Sequence, residues 1–356
     1  MTIFELLTAD AIAAYWTETN SNRVPYLGEV LFPAKKMIGL NLAWIKGFKD
    51  LPVALMPSAF DAKPTIRSRG SISKVETEMP FFRESMRLGE KDRQRILEYL
   101  NNPNSPYARA IIEKLYDDSN TLIEGALVIP EIMRMSLLFN GEVTLAAPED
   151  SGQVVNYTYK YADDNWITNN TETLTLTDKW DDATNCNPIQ DMIDIQEEMR
   201  NRYGVEIKRA VMNSVTFGLL ANSKKVKDAL APIQGITVGI TDADVKNYIF
   251  RKTGITISVY DKRYYDYNKN AQKYVPDNKV AFLPDSTLGS TWFGTTPEEA
   301  DVMAGVPDCS VKVVGTGVAV TSKKVYEPVV NIMTVVSEIV LPSFERMGDV
   351  FVLTVK

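Results

Sequence analysis

Two pairs of adjacent acids, Asp163-Asp164 and Asp181-Asp182, are of a type that could do acid–base work. One carboxyl would donate a proton while its partner acts as base or nucleophile, as in a glycosidase. Their setting speaks against it, because both pairs sit in polar, turn-like stretches where neighbouring acids are ordinary solvated loop residues. Histidine is absent from all 356 residues. Its absence removes the usual general base, the usual metal ligand and every Ser/His/Asp or Cys/His constellation together. Cys186 and Cys309, far apart, are the only cysteines and form neither a CxxC nor a framework spacing. They read as free thiols in a reducing compartment, not as a zinc site or a disulfide. Gly315-Thr316-Gly317 supplies two glycines of a dinucleotide fingerprint, but the third glycine, the following helix and a βαβ unit are missing, which leaves a turn or bulge. Tyr260, Tyr264, Tyr265 and Tyr267 stand among Lys262, Arg263 and Lys269. They could stack single-stranded nucleic acid, but the acidic surroundings favour a strand with one packed face and one snorkelling face. No catalytic, cofactor-binding or metal-binding residue is assigned.

One basic cluster stands out. The stretch KPTIRSRGSISK, residues 63–74, sets Lys63, Arg67, Arg69 and Lys74 around Gly70 in a chain of net charge −7. From Lys63 to Arg95 there are nine Lys or Arg against five Asp or Glu, a local +4 that leaves −11 elsewhere. Such a tip serves as a phosphate cradle, a solvated loop, or a hook on acid groups of another copy of the chain. The third reading draws on arginine, whose planar fork holds a carboxylate by two hydrogen bonds.

The elements that must position this tip belong to a soluble globular chain, since 45% of the residues are hydrophobic and 24% are charged. The opening MTIFELLTADAIAAYW lacks a basic n-region, and no apolar run reaches the roughly 18 residues of a membrane span. A soluble, unsecreted protein is expected. Asn156-Tyr157-Thr158 and Asn169-Asn170-Thr171 match the glycosylation triplet and are read as chance in that setting. Residues 8–16 predict a short helix capped by Thr8, followed by an irregular arm. Ile38, Leu40, Leu42 and Trp44 alternate with small or polar residues and predict a strand. Extended segments return through residue 82, so residues 37–82 predict a two-stranded excursion with the basic tip near its end. Two strands cannot bury enough apolar surface alone, so something else must cover them. Pro106 as first helical residue, apolar positions at Ile111, Ile112, Leu115, Leu122, Ile123, Ala126, Ile129 and Met133, and Gly141 as terminator predict a helix over 106–139. A hairpin follows. Beyond residue 165 strands and helices alternate, with a helix expected from Pro188 to Gly204 capped by Asn187 and facing inward through Ile189, Met192, Ile193, Met199 and Tyr203. The C-terminal stretch is strand-rich.

The order of TIRSRGS, then MPFFRESMRL, YARAIIEKL and MSLLFNGEVT, then RAVMNSVTFGLLANSKKVKDAL, VAFLPDSTLGST and EPVVNIMTVVSEIVLPSFERMGDVFVLTVK resembles the lambda-type (E family) major capsid proteins of tailed bacteriophages over essentially the whole chain. The resemblance implies an α+β, Hong Kong 97-like fold. Its parts would be an N-terminal arm over 1–36, an extended β-hairpin loop over 37–82, and a peripheral domain over 83–164 with a spine helix at 106–139. An axial domain over 165–305 and strands of 306–356 returning to the peripheral domain would complete it. The function implied is structural, not enzymatic: hexamers and pentamers closing into an icosahedral shell around double-stranded DNA held without sequence-specific contacts. Partners implied are the chain itself, a separate scaffold protein, a portal and a decoration protein, with no cofactor and no membrane. Assembly is expected in the host bacterial cytoplasm and residence in the virion capsid. Arg67, Arg69, Lys74 and Trp44 are the candidate contacts to a neighbouring subunit. A portal or tail component is the alternative, and a carboxylate-dependent glycosidase a remote one.

Overall fold

The computed structural model describes residues 7–20, 24–46, 73–101, 106–145, 157–231, 239–305, 309–325 and 331–356. The chain begins with helices α1 (Ala9–Thr19) and α2 (Leu27–Leu31), strands β1 (Ala34–Lys36), β2 (Asn41–Lys46), β3 (Ser73–Glu78) and β4 (Phe81–Arg87), and helices α3 (Glu90–Asn101) and α4 (Pro106–Asn140). Strands β5 (Glu142–Leu145) and β6 (Tyr157–Lys160), helix α5 (Asp164–Asn170) and strand β7 (Thr171–Thr173) follow. Helix α6 (Pro188–Tyr203), strand β8 (Arg209–Met212) and helices α7 (Ser214–Asn222), α8 (Lys224–Leu230) and α9 (Asp242–Thr253) come next. The remainder is β9 (Thr256–Val259), β10 (Arg263–Tyr265), β11 (Ala271–Lys273), β12 (Lys279–Leu283), β13 (Ser290–Phe293), α10 (Pro297–Met303), β14 (Cys309–Val314), β15 (Val318–Val325), β16 (Asn331–Ser343) and β17 (Phe351–Thr354).

Local chemistry sets many of these boundaries. Thr8 Oγ1 accepts the Ala11 N–H and starts α1. Thr241 with Asp244, and Thr296 with Glu299, form reciprocal capping boxes at α9 and α10. Helix α4 starts at Pro106, carries Pro130 without ending there, and stops before Gly141 at φ +68°. A Cβ on Gly141 would lie 2.5 Å from Ala162 Cβ, so both the backbone and the space demand glycine. Asn187 occupies the cap position of α6 but its side chain makes no capping bond. The buried face of α6 is Pro188, Met192, Ile195 and Met199, so Ile195 replaces the expected Ile193, which is exposed.

Contacts divide the chain into two units. The first comprises Met1–Ala43, Glu76–Arg134 and Ser290–Ser343. Its six-stranded sheet runs β1-β13-β16-β15-β14, with β4 also paired to β16. Ile12, Ala13 and Trp16 of α1 and Leu122 and Ile123 of α4 bury against Val314, Val318, Val320 and Val336 of that sheet. Much of the expected arm is therefore integral: α1 has an apolar face that needs a core, and β1 pairs with β13 in parallel. The second unit comprises Trp44–Val75, Met135–Gly289 and Phe344–Lys356. Its five-stranded sheet runs β7-β17-β12-β8-β9, and helix residues Met192, Ile195, Met199, Phe217, Leu220, Val245 and Ile249 share its core.

Three expectations change. The strand expected from Ile38 begins at Asn41, because Gly39 turns the chain at φ +106° and leaves Ile38 90% exposed. The first unit takes the chain back at Ser290, upstream of residue 305, because β13 pairs with β16. The final strands also part company: β14, β15 and β16 join the six-stranded sheet, whereas β17 pairs with β12 and β7.

Candidate assembly surfaces

The predicted contact residues fall in different environments. Strands β2 and β3 pair as a two-stranded sheet, and the Met79 N–H donates to Leu40 O at the foot of the excursion. Arg67 and Arg69 lie outside the described residues, as does the side chain of Lys74, whose backbone belongs to β3. Trp44 is 7% exposed, with its ring centroid 4.9 Å from that of Tyr161. Burial also pushes the Tyr161 hydroxyl well above the usual range for tyrosine.

Apolar side chains are exposed on both units. On the first unit Val24, Val30, Ile38 and Leu40 project from one short stretch. On the second, Leu176, Val215, Phe250, Tyr265 and Tyr267 project. Tyr260 and Tyr264 turn inward onto Tyr274, so the tyrosine cluster does divide into a packed and an outward face.

The stretch bearing Val24 to Leu40 is seated by polar groups that the sequence reading missed. Gly28 of α2 donates its N–H to Glu131 Oε1 at 3.1 Å, and Arg134 Nη1 donates to Glu131 Oε2 at 3.3 Å. Arg134 Nε donates to Thr291 Oγ1 at 2.8 Å, and that hydroxyl donates to Phe32 O at 2.9 Å. Burial lowers the Arg134 pKa, and the Glu131 carboxylate opposes the shift. Lys36 Nζ pairs with Glu299 Oε2 at 2.8 Å. On the sheet face that carries Ser337, Glu298 accepts the Ser337 hydroxyl at 2.7 Å and pairs with Arg83. Buried charges need partners of this kind. The signal was visible as Glu131 and Arg134 inside an apolar helical stripe, three residues apart.

The acids first weighed for catalysis are engaged elsewhere. Asp163 Oδ1 caps α5 by accepting the Trp166 N–H at 2.8 Å, and Asp164 occupies its first turn. Asp182 accepts the Asn185 amide in a turn, which lowers its pKa, and Asp181 lies 3.7 Å from Lys356 Nζ. The Gly315–Gly317 turn joins β14 to β15, and a Cβ on Gly317 would collide with the Phe293 ring. Among the described residues no group of three or more His, Cys, Asp or Glu is placed to hold a metal ion. Among them no helix is long and apolar enough to cross a membrane.

The described geometry is one of packed polar pins and individually exposed apolar side chains. Residues 8–312 match the family model described as phage major capsid protein E. The chain belongs to this family. No curated protein sequence matches it. Among solved structures, one assigned to a prophage capsid protein from E. coli CFT073 is 11% identical with a TM-score of 0.60, covering 98% of this chain and 99% of that one. A phage-related protein from Bordetella bronchiseptica RB50 is 12% identical with a TM-score of 0.55, covering 97% and 96%. The fold is accordingly the Hong Kong 97-like capsid fold. This phage major capsid protein is a structural component of the virion, and not an enzyme.

Proposed function

We propose that this capsid protein closes into an icosahedral shell of hexamers and pentamers around double-stranded DNA, with the excursion of residues 37–82 lying across a neighbouring copy. The family match over residues 8–312 carries the reading. The six-stranded unit with α4 corresponds to the peripheral domain and the five-stranded unit to the axial domain. Charge supports a container: apart from the local +4 of residues 63–95 the chain sums to −11, and an acidic wall does not hold phosphate. DNA is enclosed without sequence-specific contacts. A separate scaffold and a portal take part in forming the particle, which assembles in the host bacterial cytoplasm.

Arg67 and Arg69 pair with carboxylates of the neighbour, and Lys74 supports them from β3. Trp44 contributes indirectly, by holding the foot of the excursion against Tyr161. A rim pair contributes only about 0–1 kcal/mol, but it recurs in every subunit of a closed shell. The double substitution Arg67→Glu and Arg69→Glu should leave a soluble subunit with unchanged circular dichroism and melting that no longer forms shells in negative-stain images. Wild-type shells from the double variant would remove the arginines from the contact. Rings or tubes from the unmodified protein would favour a portal or tail component.

A further inference from the structure

The five-stranded unit carries opposite charge at the two edges of its sheet. Residues 172–198, which leave the β7 edge and continue into α6, hold eight Asp or Glu against Lys179 alone, a local −7. Hydrogen bonds hold this segment together. Trp180 Nε1–H donates to Asp191 of α6 at 2.8 Å, and Arg202 Nη1, near the other end of α6, donates to Asn169 O beside β7 at 2.6 Å. Glu198 pairs with Arg202 at 2.6 Å and Asp181 with Lys356 at 3.7 Å. The exposed acids Asp178, Asp194 and Glu197 make no ion pair among the described residues. Leu176, two residues before Asp178, is 86% exposed.

At the opposite edge, β9 runs on through Tyr260, whose N–H donates to Met212 O, into the hairpin of β10 and β11. These two strands pair only with each other. One face of the hairpin is closed, because Tyr264 packs on Tyr274 with ring centroids 4.9 Å apart. The other face and the tip present Arg263, Tyr265, Tyr267 and Lys269, all exposed. The acids beside them are engaged locally. Asp266 accepts the Asn270 N–H at 2.8 Å and the Gln272 amide at 3.0 Å, and Asp261 accepts the Ser214 N–H at 2.8 Å. Lys273 pairs with Asp277 at 2.7 Å, whereas Arg263 and Lys269 make no ion pair among the described residues. A two-stranded hairpin with one open face is marginal in water and is stabilised by a cover.

The two surfaces of one copy are out of each other's reach. Strands β7 and β9 stand at the two ends of the order β7-β17-β12-β8-β9, four strand spacings or roughly 19 Å apart at about 4.8 Å each. Both surfaces nevertheless leave from the same end of the sheet. The cross-strand rows run Thr173–Thr354–Lys279 and, two residues along β12, Ala281–Val211–Ser258, so β7 and β9 finish together. A head-to-tail ring requires two complementary surfaces of this kind, since each copy offers one and receives the other. We infer that the β10–β11 hairpin of one copy docks on residues 172–198 of the next around a capsomer ring, a contact that rests on the reading of the chain as a shell of hexamers and pentamers. Arg263 and Lys269 meet Asp178 and Asp194, and Tyr265 and Tyr267 cover Leu176. A guanidinium holds carboxylates through directed hydrogen bonds, and a tyrosine ring covers an apolar side chain while its hydroxyl stays in water. Charge also selects the head-to-tail arrangement, because hairpin on hairpin or acid on acid would set like charges together.

The full-length chain carrying both Tyr265→Cys and Leu176→Cys tests the contact directly. Oxidation of its assemblies should link chain to chain and give, on a non-reducing denaturing gel, a ladder ending at closed pentamers and hexamers, whereas each single substitution should give none. Shells without the ladder would overturn the contact and leave the shell standing. Chain-to-chain links in rings or tubes would keep the contact and overturn the shell, and no association of any kind would overturn both. Charge reversal is a second test at positions that are exposed in the subunit. Arg263→Glu with Lys269→Glu should raise the protein concentration needed for assembly about tenfold or more, because like charges then face each other. Adding Asp178→Lys and Asp194→Lys to the same chain should bring that concentration back toward the wild-type value. Assembly indifferent to the first pair, or not rescued by the second, would refute the pairing. A hairpin variant that assembles normally but no longer retains single-stranded DNA in a filter assay would show that the tyrosines stack on nucleobases instead.

Discussion

Asp191 accepts the Trp180 Nε1–H at 2.8 Å, with acids of the same unit close by. Burial pushes its carboxyl up to about 6, the Trp180 bond opposes this, and the charges of Asp178, Asp194 and Glu172 add to the rise. A carboxyl raised in the folded state favours folding fully below its unfolded value and loses that advantage as pH climbs to the folded one. Wild-type stability should therefore drop by about 1 kcal/mol between pH 4 and pH 7 relative to Asp191→Asn, a figure already discounted for partial solvent screening. Parallel pH profiles of melting for the two proteins would contradict it. Gly141→Ala is expected to cost about 2–3 kcal/mol in denaturant unfolding, because φ +68° and the contact with Ala162 are both refused to a methyl group. An unchanged midpoint would mean that the turn after α4 relaxes freely.

At the scale of elements, α4 has one face that cannot accept charge. Leu122 and Ile123 are buried with Trp16 and Val336, so Leu122→Asp should cost several kcal/mol and yield insoluble protein. Ordinary soluble expression would show that this face is not core. The helix was legible because Pro106, the apolar period and Gly141 are all local signals. Helix α3 was not, because among its described side chains only Ile96 enters a core cluster, which leaves no stripe to read. Short α10 was passed over even though Thr296 and Glu299 spell a capping box. Strand partners were the least accessible part. Nothing in the residues of β17 announces β12 rather than β16 as its neighbour, since pairing rests on long-range register. The polar seat was half legible for the same reason: Glu131 and Arg134 share a helix, whereas Gly28 and Thr291 reach them only through the fold.

For the whole molecule, the residue inventory limits what can hold copies together. Histidine is missing, and Cys186 is buried with a thiol pKa raised chiefly by burial. Assembled particles should keep their sedimentation profile in a chelator and in a thiol reductant; collapse in either would reveal a metal or disulfide link between subunits. Strand β16 has a mechanical consequence for such particles. One edge is bonded to β15 from Asn331 to Ser337 and then to β13 from Val340 to Ser343, and the other to β4 from Met333 to Ile339. A strand peeled from a free edge yields one pair at a time. Pulled along its axis, β16 must break the bonds on both flanks together, in shear. Tension in the wall is thereby shared among β15, β4 and β13, and the first unit resists stretching along β16 far better than it resists peeling at its outermost strand, β14.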